Sequence, residues 1–195
     1  PMLDEIVKMT EFGLNTLDAV AVAAGPGSFT GLRIGSATAK GLGLALDKPL
    51  IPVPTVEALA YNLYDVSGLV CPIMDARRGQ VYTGIYRFKD HRLVQVEGQM
   101  AVPIQELIGI LNRLEEPVTF LGDGVPVFRE TIQAELKMPV SFAPAHVNKQ
   151  RAAAVAALGE VYYKDGRIQT AMEHIPEYLR LSQAERERVQ REGKA

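Results

Sequence analysis

Two hydrophobic periods alternate along the chain, and the switches between them mark its elements. Leu3, Ile6 and Val7, extended by Met9, form a helical stripe from Pro1 to about Phe12, which Gly13-Leu14-Asn15 closes as a cap and turn. A continuous apolar run over 19–24 predicts a buried strand. After a Gly-rich turn, a helix is expected over 30–46, ending at Asp47-Lys48-Pro49. Leu50–Val53 reads as a short strand, and Thr55 to about Tyr64 as a helix beyond Pro54. Strand and helix alternating with short connections predict an α/β lobe with parallel strands.

The pattern changes after Ser67-Gly68. Leu69–Met74, Gln80–Phe88 and Arg92–Met100 read as three strands of an antiparallel meander, with turns at 75–79 and 89–91. Helices follow at Pro103–Leu114, Val125–Leu136 and Gln150–Lys164, with strands at Val118–Leu121 and Pro139–Ala143. The boundary near Gly68 divides the chain into a first lobe over 1–68, a second over 69–182 and a polar tail over 183–195. The tail reads as helical or disordered. In it Arg186, Arg188 and Arg191 alternate with Glu185, Glu187 and Glu192, the signature of a solvated face and not of an RNA-binding patch.

Composition narrows the class. The 195 residues suffice for two small lobes, and 47% of them are apolar. A net charge of −2 leaves no electrostatic footprint for a free-standing nucleic-acid binder. The single cysteine, Cys71, has no internal disulfide partner, which fits a reducing cytoplasm. No apolar stretch runs long enough to predict a membrane span, and no signal peptide opens the chain. Pro1 is not an initiator, and the stripe is under way at once. The expectation is a fragment lacking its natural N-terminal segment; a processed N-terminus is the other reading.

Most of the chemistry that can be read lies in Gly25-Pro26-Gly27-Ser28-Phe29-Thr30-Gly31-Leu32-Arg33-Ile34-Gly35. A Gly-rich turn between strand and helix brings backbone N–H groups toward a phosphate, or lets two backbones pack closely. Register excludes a Walker A loop, whose Gly-Lys-Ser/Thr would begin at Thr30. It also excludes the dinucleotide fingerprint, whose third glycine would fall at Thr30. A generic phosphate loop stays open. The spacing of Gly27, Gly31, Gly35, Ala39 and Gly43 predicts a small-residue stripe along one helix face. Such a stripe packs either on the sheet of its own lobe or against another helix. Ser28 or Thr30 would cap the helix.

Three segments together identify a family. The run Leu17 to Gly35, the later Pro49-Leu50-Ile51-Pro52-Val53 and Asp75-Ala76-Arg77-Arg78-Gly79-Gln80-Val81-Tyr82, and finally Pro176-Glu177-Tyr178-Leu179-Arg180, resemble in this order the bacterial TsaB (YeaZ) family. The resemblance covers essentially the whole chain. It implies an α/β, actin-like fold of the sugar-kinase and Hsp70 type, with two lobes, the first of them truncated here. It also implies a non-catalytic scaffold subunit that binds and stabilises TsaD in the synthesis of threonylcarbamoyladenosine at position 37 of tRNA. No cofactor is then expected on this chain alone, although the complex uses ATP. TsaD is the expected heterodimer partner and TsaE joins a larger complex. A homodimer forms when TsaD is missing, tRNA is met only through the complex, and no membrane is involved.

TsaD proteins, similar over the first lobe, carry a His-x-x-x-His metal pair one helical turn apart. The matching positions here are Thr55 and Leu59, and leucine has no ligand atom. His91, His146 and His174 lack ligand spacing and read as surface or hydrogen-bonding residues. The expected partner face comprises Leu3, Ile6 and Val7 with Gly31, Gly35, Ala39 and Gly43. Gly27, Ser28, Asp75 and Arg77 are candidates for vestigial phosphate contacts. For Asp75, Arg77 and Asp123 a structural turn is the competing reading. Two rival functions remain, a glycoprotease-type hydrolase and an independent actin-like ATP-binding enzyme. Each requires a metal, a nucleophile with its base, or a nucleotide site.

Overall fold

The computed structural model describes residues 2–10 and 12–179. Two sheets organise it. The first pairs β1 (Val20–Gly25) and β2 (Leu50–Pro54) in parallel, from Val20 opposite Leu50 to Ala23 opposite Val53. The second has five strands in the order β5-β4-β3-β6-β7. Here β3 (Leu69–Asp75), β4 (Gln80–Lys89) and β5 (Arg92–Pro103) form the antiparallel meander. β6 (Val118–Leu121) and β7 (Val140–Phe142) add to it in parallel. Arg186, Arg188 and Arg191 of the polar tail lie outside the described residues.

A parallel sheet buries both faces, and period-two alternation supplies them. Val20, Val22 and Leu50 face α2 (Phe29–Leu46) and pack on Ala39 and Ala171. Ala19, Ala21, Ile51 and Val53 face the other way, onto Ala58 of α3 (Thr55–Tyr61) and Leu158 and Tyr162 of α6 (Ala152–Lys164). At Gly159 helix and strand approach so closely that a Cβ would stand 2.8 Å from that of Ala21. The second sheet covers one face with α4 (Ile104–Leu114) and α5 (Val125–Glu135), through Leu107, Leu111, Phe128 and Ile132. Its other face receives Val56, Leu59 and Ala60 of α3 against Val70, Tyr86 and Leu121. Helix α3 therefore packs on both sheets and joins the lobes.

Element boundaries differ from the sequence expectation by a few residues, with local causes. The first helix, α1, runs Met2–Thr10, and a short 3-10 turn at Leu14–Thr16 follows Gly13. Helix α3 stops at Tyr61; the next residue, Asn62, still donates its backbone N–H to the Leu59 carbonyl, while its side-chain Nδ2 donates to the carbonyls of Val147 and Lys149 at 3.0 and 2.7 Å. The 69–182 segment is not one lobe in space. Helix α6 and the strap after it return to the first sheet, because a two-stranded sheet needs layers that its own 68 residues do not supply. Periodicity in a sequence shows that a helix has an apolar face, and not which sheet that face meets.

Candidate functional site

The Gly-rich turn leaves the end of β1 at Gly25, whose φ of 121° is open to glycine alone. The Gly25-Pro26 peptide is cis. Ser28 is the N-cap of α2, its Oγ accepting the Gly31 N–H at 3.4 Å. The reason for Gly25 comes from a distant segment. The Glu177 N–H donates to the Ala24 carbonyl at 2.7 Å, and the Glu177 carbonyl occupies the space a Gly25 side chain would need. Beside it the Tyr178 ring lies 5.1 Å from that of Phe29, and the Arg33 guanidinium sits 4.1 Å from the centre of the Phe29 ring. Two motifs about 150 residues apart in sequence thus form one surface.

The strap leading to Tyr178 is tied along its length. Gln169 exchanges two backbone hydrogen bonds with Leu50, at 2.8 and 2.9 Å, on the edge of β2 away from β1. Ala171 fills the space left by Gly43, and the Lys40 ammonium donates to the His174 carbonyl at 2.8 Å. Of the two readings for His174, surface or hydrogen-bonding residue, the second fits: it is buried, with its Nδ1 3.3 Å from Gln169 Oε1. Burial, helped by the nearby Lys40 charge, holds its imidazole below the usual histidine range.

The four-residue stripe does not stay on one face. A helix of 3.6 residues per turn drifts about 40° for each step of four, so Gly43 lies about 120° around from Gly31. Ala39 and Gly43 are accordingly buried inside this chain. A Cβ on Gly43 would meet Leu50 and the Lys48 carbonyl at 3.0 Å. They are thereby removed from the expected partner face. Gly31 and Gly35 are exposed, and a Cβ on Gly35 would meet nothing within 4 Å. Nearby α1 buries none of its residues: Ile6 is 56% exposed, Leu3 is exposed and Val7 half-buried. Leu3 and Leu42 line an apolar groove of about 590 Å³ that runs along β1.

A smaller cleft of about 300 Å³ separates the Gly-rich turn from the second lobe. Gly27, Ser28, Gly31 and Gly35 line one side, Thr55, Met74 and Gln150 the other. Asp75 and Arg77 stand at the neighbouring hairpin turn, outside the lining. The Asp75 carboxylate accepts the Arg77 N–H at 2.8 Å and pairs with its guanidinium at 3.3 Å, while Asp123 accepts the Asp75 N–H at 3.3 Å. The structure thus engages these side chains in the turn itself.

Thr55 opens α3, its Oγ1 buried without a hydrogen-bond partner, and Leu59 is core. Among the described residues no three His, Cys, Asp or Glu side chains gather as metal ligands. His91 pairs with Asp65 at 2.7 Å and does not line the cleft. Full burial pushes the Cys71 thiol up to about 12, against a smaller lowering by its hydrogen bond with the Thr83 hydroxyl. Among the described residues no helix is long and apolar enough to cross a membrane.

Two α/β units joined through a shared helix, with a cleft between them, define a protein of the actin-like class. The sequence matches the family model described as TsaD, tRNA N6-adenosine threonylcarbamoyltransferase, over residues 1–188. Within that grouping the chain belongs to the TsaB (YeaZ) family. It is 35% identical to the tRNA threonylcarbamoyladenosine biosynthesis protein TsaB of Bacillus subtilis, over 95% of this chain and 79% of that protein. YeaZ from Pseudomonas aeruginosa superposes with a TM-score of 0.71 at 22% identity, over 91% of this chain and 82% of that one. A second Pseudomonas aeruginosa structure, described as an uncharacterized protein with similarity to peptidase YEAZ, gives 0.74 over 92% and 82%.

Proposed function

We propose that this chain acts in the biosynthesis of tRNA threonylcarbamoyladenosine as a docking subunit for a TsaD-type transferase and performs no chemistry itself. The observation that carries this reading is Gly35. Glycine inside a helix costs roughly 1 kcal/mol relative to alanine, and nothing among the described residues needs the space it leaves. Exposed Ile34 beside it, and Leu3, Ile6 and Met9 on α1, extend the surface with apolar side chains. A partner helix packed against Gly31 and Gly35 accounts for both features.

Several residues support a non-catalytic role. Leu59 takes the position of a metal-binding histidine and is used for packing between α3 and the second sheet. The Ser28 hydroxyl caps a helix, and among the described residues no histidine or lysine is bonded to it as a base. In this proposal ATP is used by the complex, TsaE joins it, and tRNA is bound only through it. The same apolar face supports a homodimer when the transferase is missing.

The test is co-purification of TsaD with the wild-type chain and with Gly35→Leu. Loss of the partner with a native melting curve is the expected result, and retained binding places the interface elsewhere. The orphan Thr55 hydroxyl at the cleft favours one second reading, an actin-like nucleotide site in this chain. Calorimetry with ATP and magnesium on the isolated chain decides it: tight binding supports that reading over the docking subunit.

A further inference from the structure

Away from the cleft and the docking face, α3, α6 and the β4–β5 hairpin enclose a second cavity of about 380 Å³. That is within the size range of small-molecule sites, roughly 300–1,000 Å³. Its polar groups are arranged around Tyr162 of α6. The Tyr162 hydroxyl donates to the half-buried Glu57 carboxylate of α3. The Arg167 guanidinium lies 3.5 Å over the face of the same ring. Opposite charges therefore share one aromatic platform without pairing with each other. Among the described residues no carboxylate stands within ion-pair distance of Arg167, whereas the neighbouring cations are neutralised. Arg92 pairs with Asp165 at 3.0 Å and Lys164 with Glu160 at 2.6 Å.

Two more features complete the site. Tyr86, also in the lining, is buried, and its hydroxyl has no hydrogen-bond partner. Burial, then the Glu57 carboxylate nearby, holds the phenols of Tyr86 and Tyr162 well above the usual tyrosine range, so both keep their protons at neutral pH. Leu93, Leu158, Val161 and the Tyr61 ring form the apolar part of the wall.

The geometry points to a binding site for a small zwitterion, an α-amino acid with an aliphatic side chain. Its ammonium would meet Glu57, its carboxylate Arg167, and its side chain the leucine and valine wall. A simple anion would leave Glu57 repelling it, and a simple cation would meet the Arg167 guanidinium. Only a ligand carrying both charges satisfies both groups. None of these residues belongs to the docking face, so the site stands whether or not the chain binds a transferase.

The probe is L-leucine, titrated calorimetrically into the full chain, with N-acetyl-L-leucine and L-leucinamide as the analogues lacking one charge each. Saturable binding of L-leucine is expected, weakened at least about tenfold in either analogue and in Glu57→Gln and Arg167→Met. Arg167 is exposed, so its substitution tests the site even where Glu57→Gln impairs folding. Absence of saturable L-leucine binding overturns the proposal. So does equal affinity for an analogue, or an unchanged affinity in Arg167→Met.

Discussion

The two halves of helix α2 carry the same four-residue spacing of small residues and use it for different purposes. In the C-terminal half, Ala39 and Gly43 are small because Leu50 and Ala171 of this chain occupy the space beside them. In the N-terminal half, Gly31 and Gly35 face outward, and no group among the described residues fills the space beside Gly35. A glycine with an internal reason belongs to the folding problem. One without such a reason points outside the molecule.

Substitutions at the two halves should therefore separate stability from binding. The largest effect is expected at Gly43→Leu, which forces a branched side chain against the Lys48 carbonyl and Leu50. Overpacking of this kind costs about 3 kcal/mol, a drop in Tm of roughly 10 °C for a chain of this size. A melting curve indistinguishable from wild type would break the comparison. The opposite sign is expected at Gly35→Ala. Removing an unconstrained helix glycine should raise stability by roughly 1 kcal/mol in urea denaturation, because alanine loses less backbone entropy. A destabilised Gly35→Ala would show that the exposed half also has an internal reason.

The smallest effect is a pH dependence of the strap that covers the buried half. The buried His174 titrates below its unfolded value of about 6.5. Below that pH the unfolded chain takes up a proton that the folded chain resists, so stability is full above it and declines as pH falls towards the folded value. His174→Asn should flatten this decline in denaturation midpoints measured from pH 7 to pH 5. An unchanged slope would remove His174 from the account.

Much of the fold was legible in the chain because its elements are short and their periods clean. The run at 19–24, the alternation in Gln80–Phe88 and the Gly-Pro-Gly turn each identify an element by local pattern alone. The meander was visible for the same reason, its turns falling where Arg77, Arg78 and Gly79, then Asp90 and His91, take positive φ. The candidate site was legible only in part. Thr55 and Leu59 could be matched to a histidine pair, but that Leu59 joins the core between the lobes required its neighbours Val70, Tyr86 and Leu121. The amino-acid cavity had no local signature, because Glu57 of α3, Tyr86 of β4 and Arg167 after α6 come from three separate segments.

The sequence by itself determined the order of strands and helices, the family, and the Gly-rich turn at 25–28 that leads into α2. These depend on interactions within a few residues, or on motifs that survive as strings. Tertiary structure decided where the small-residue stripe ends as a surface, since a 3.6-residue helix rotates a four-residue repeat out of line. It also decided why Gly25 must be glycine. Glu177 approaches it through space from a segment about 150 residues away, and no local pattern encodes a contact across that distance.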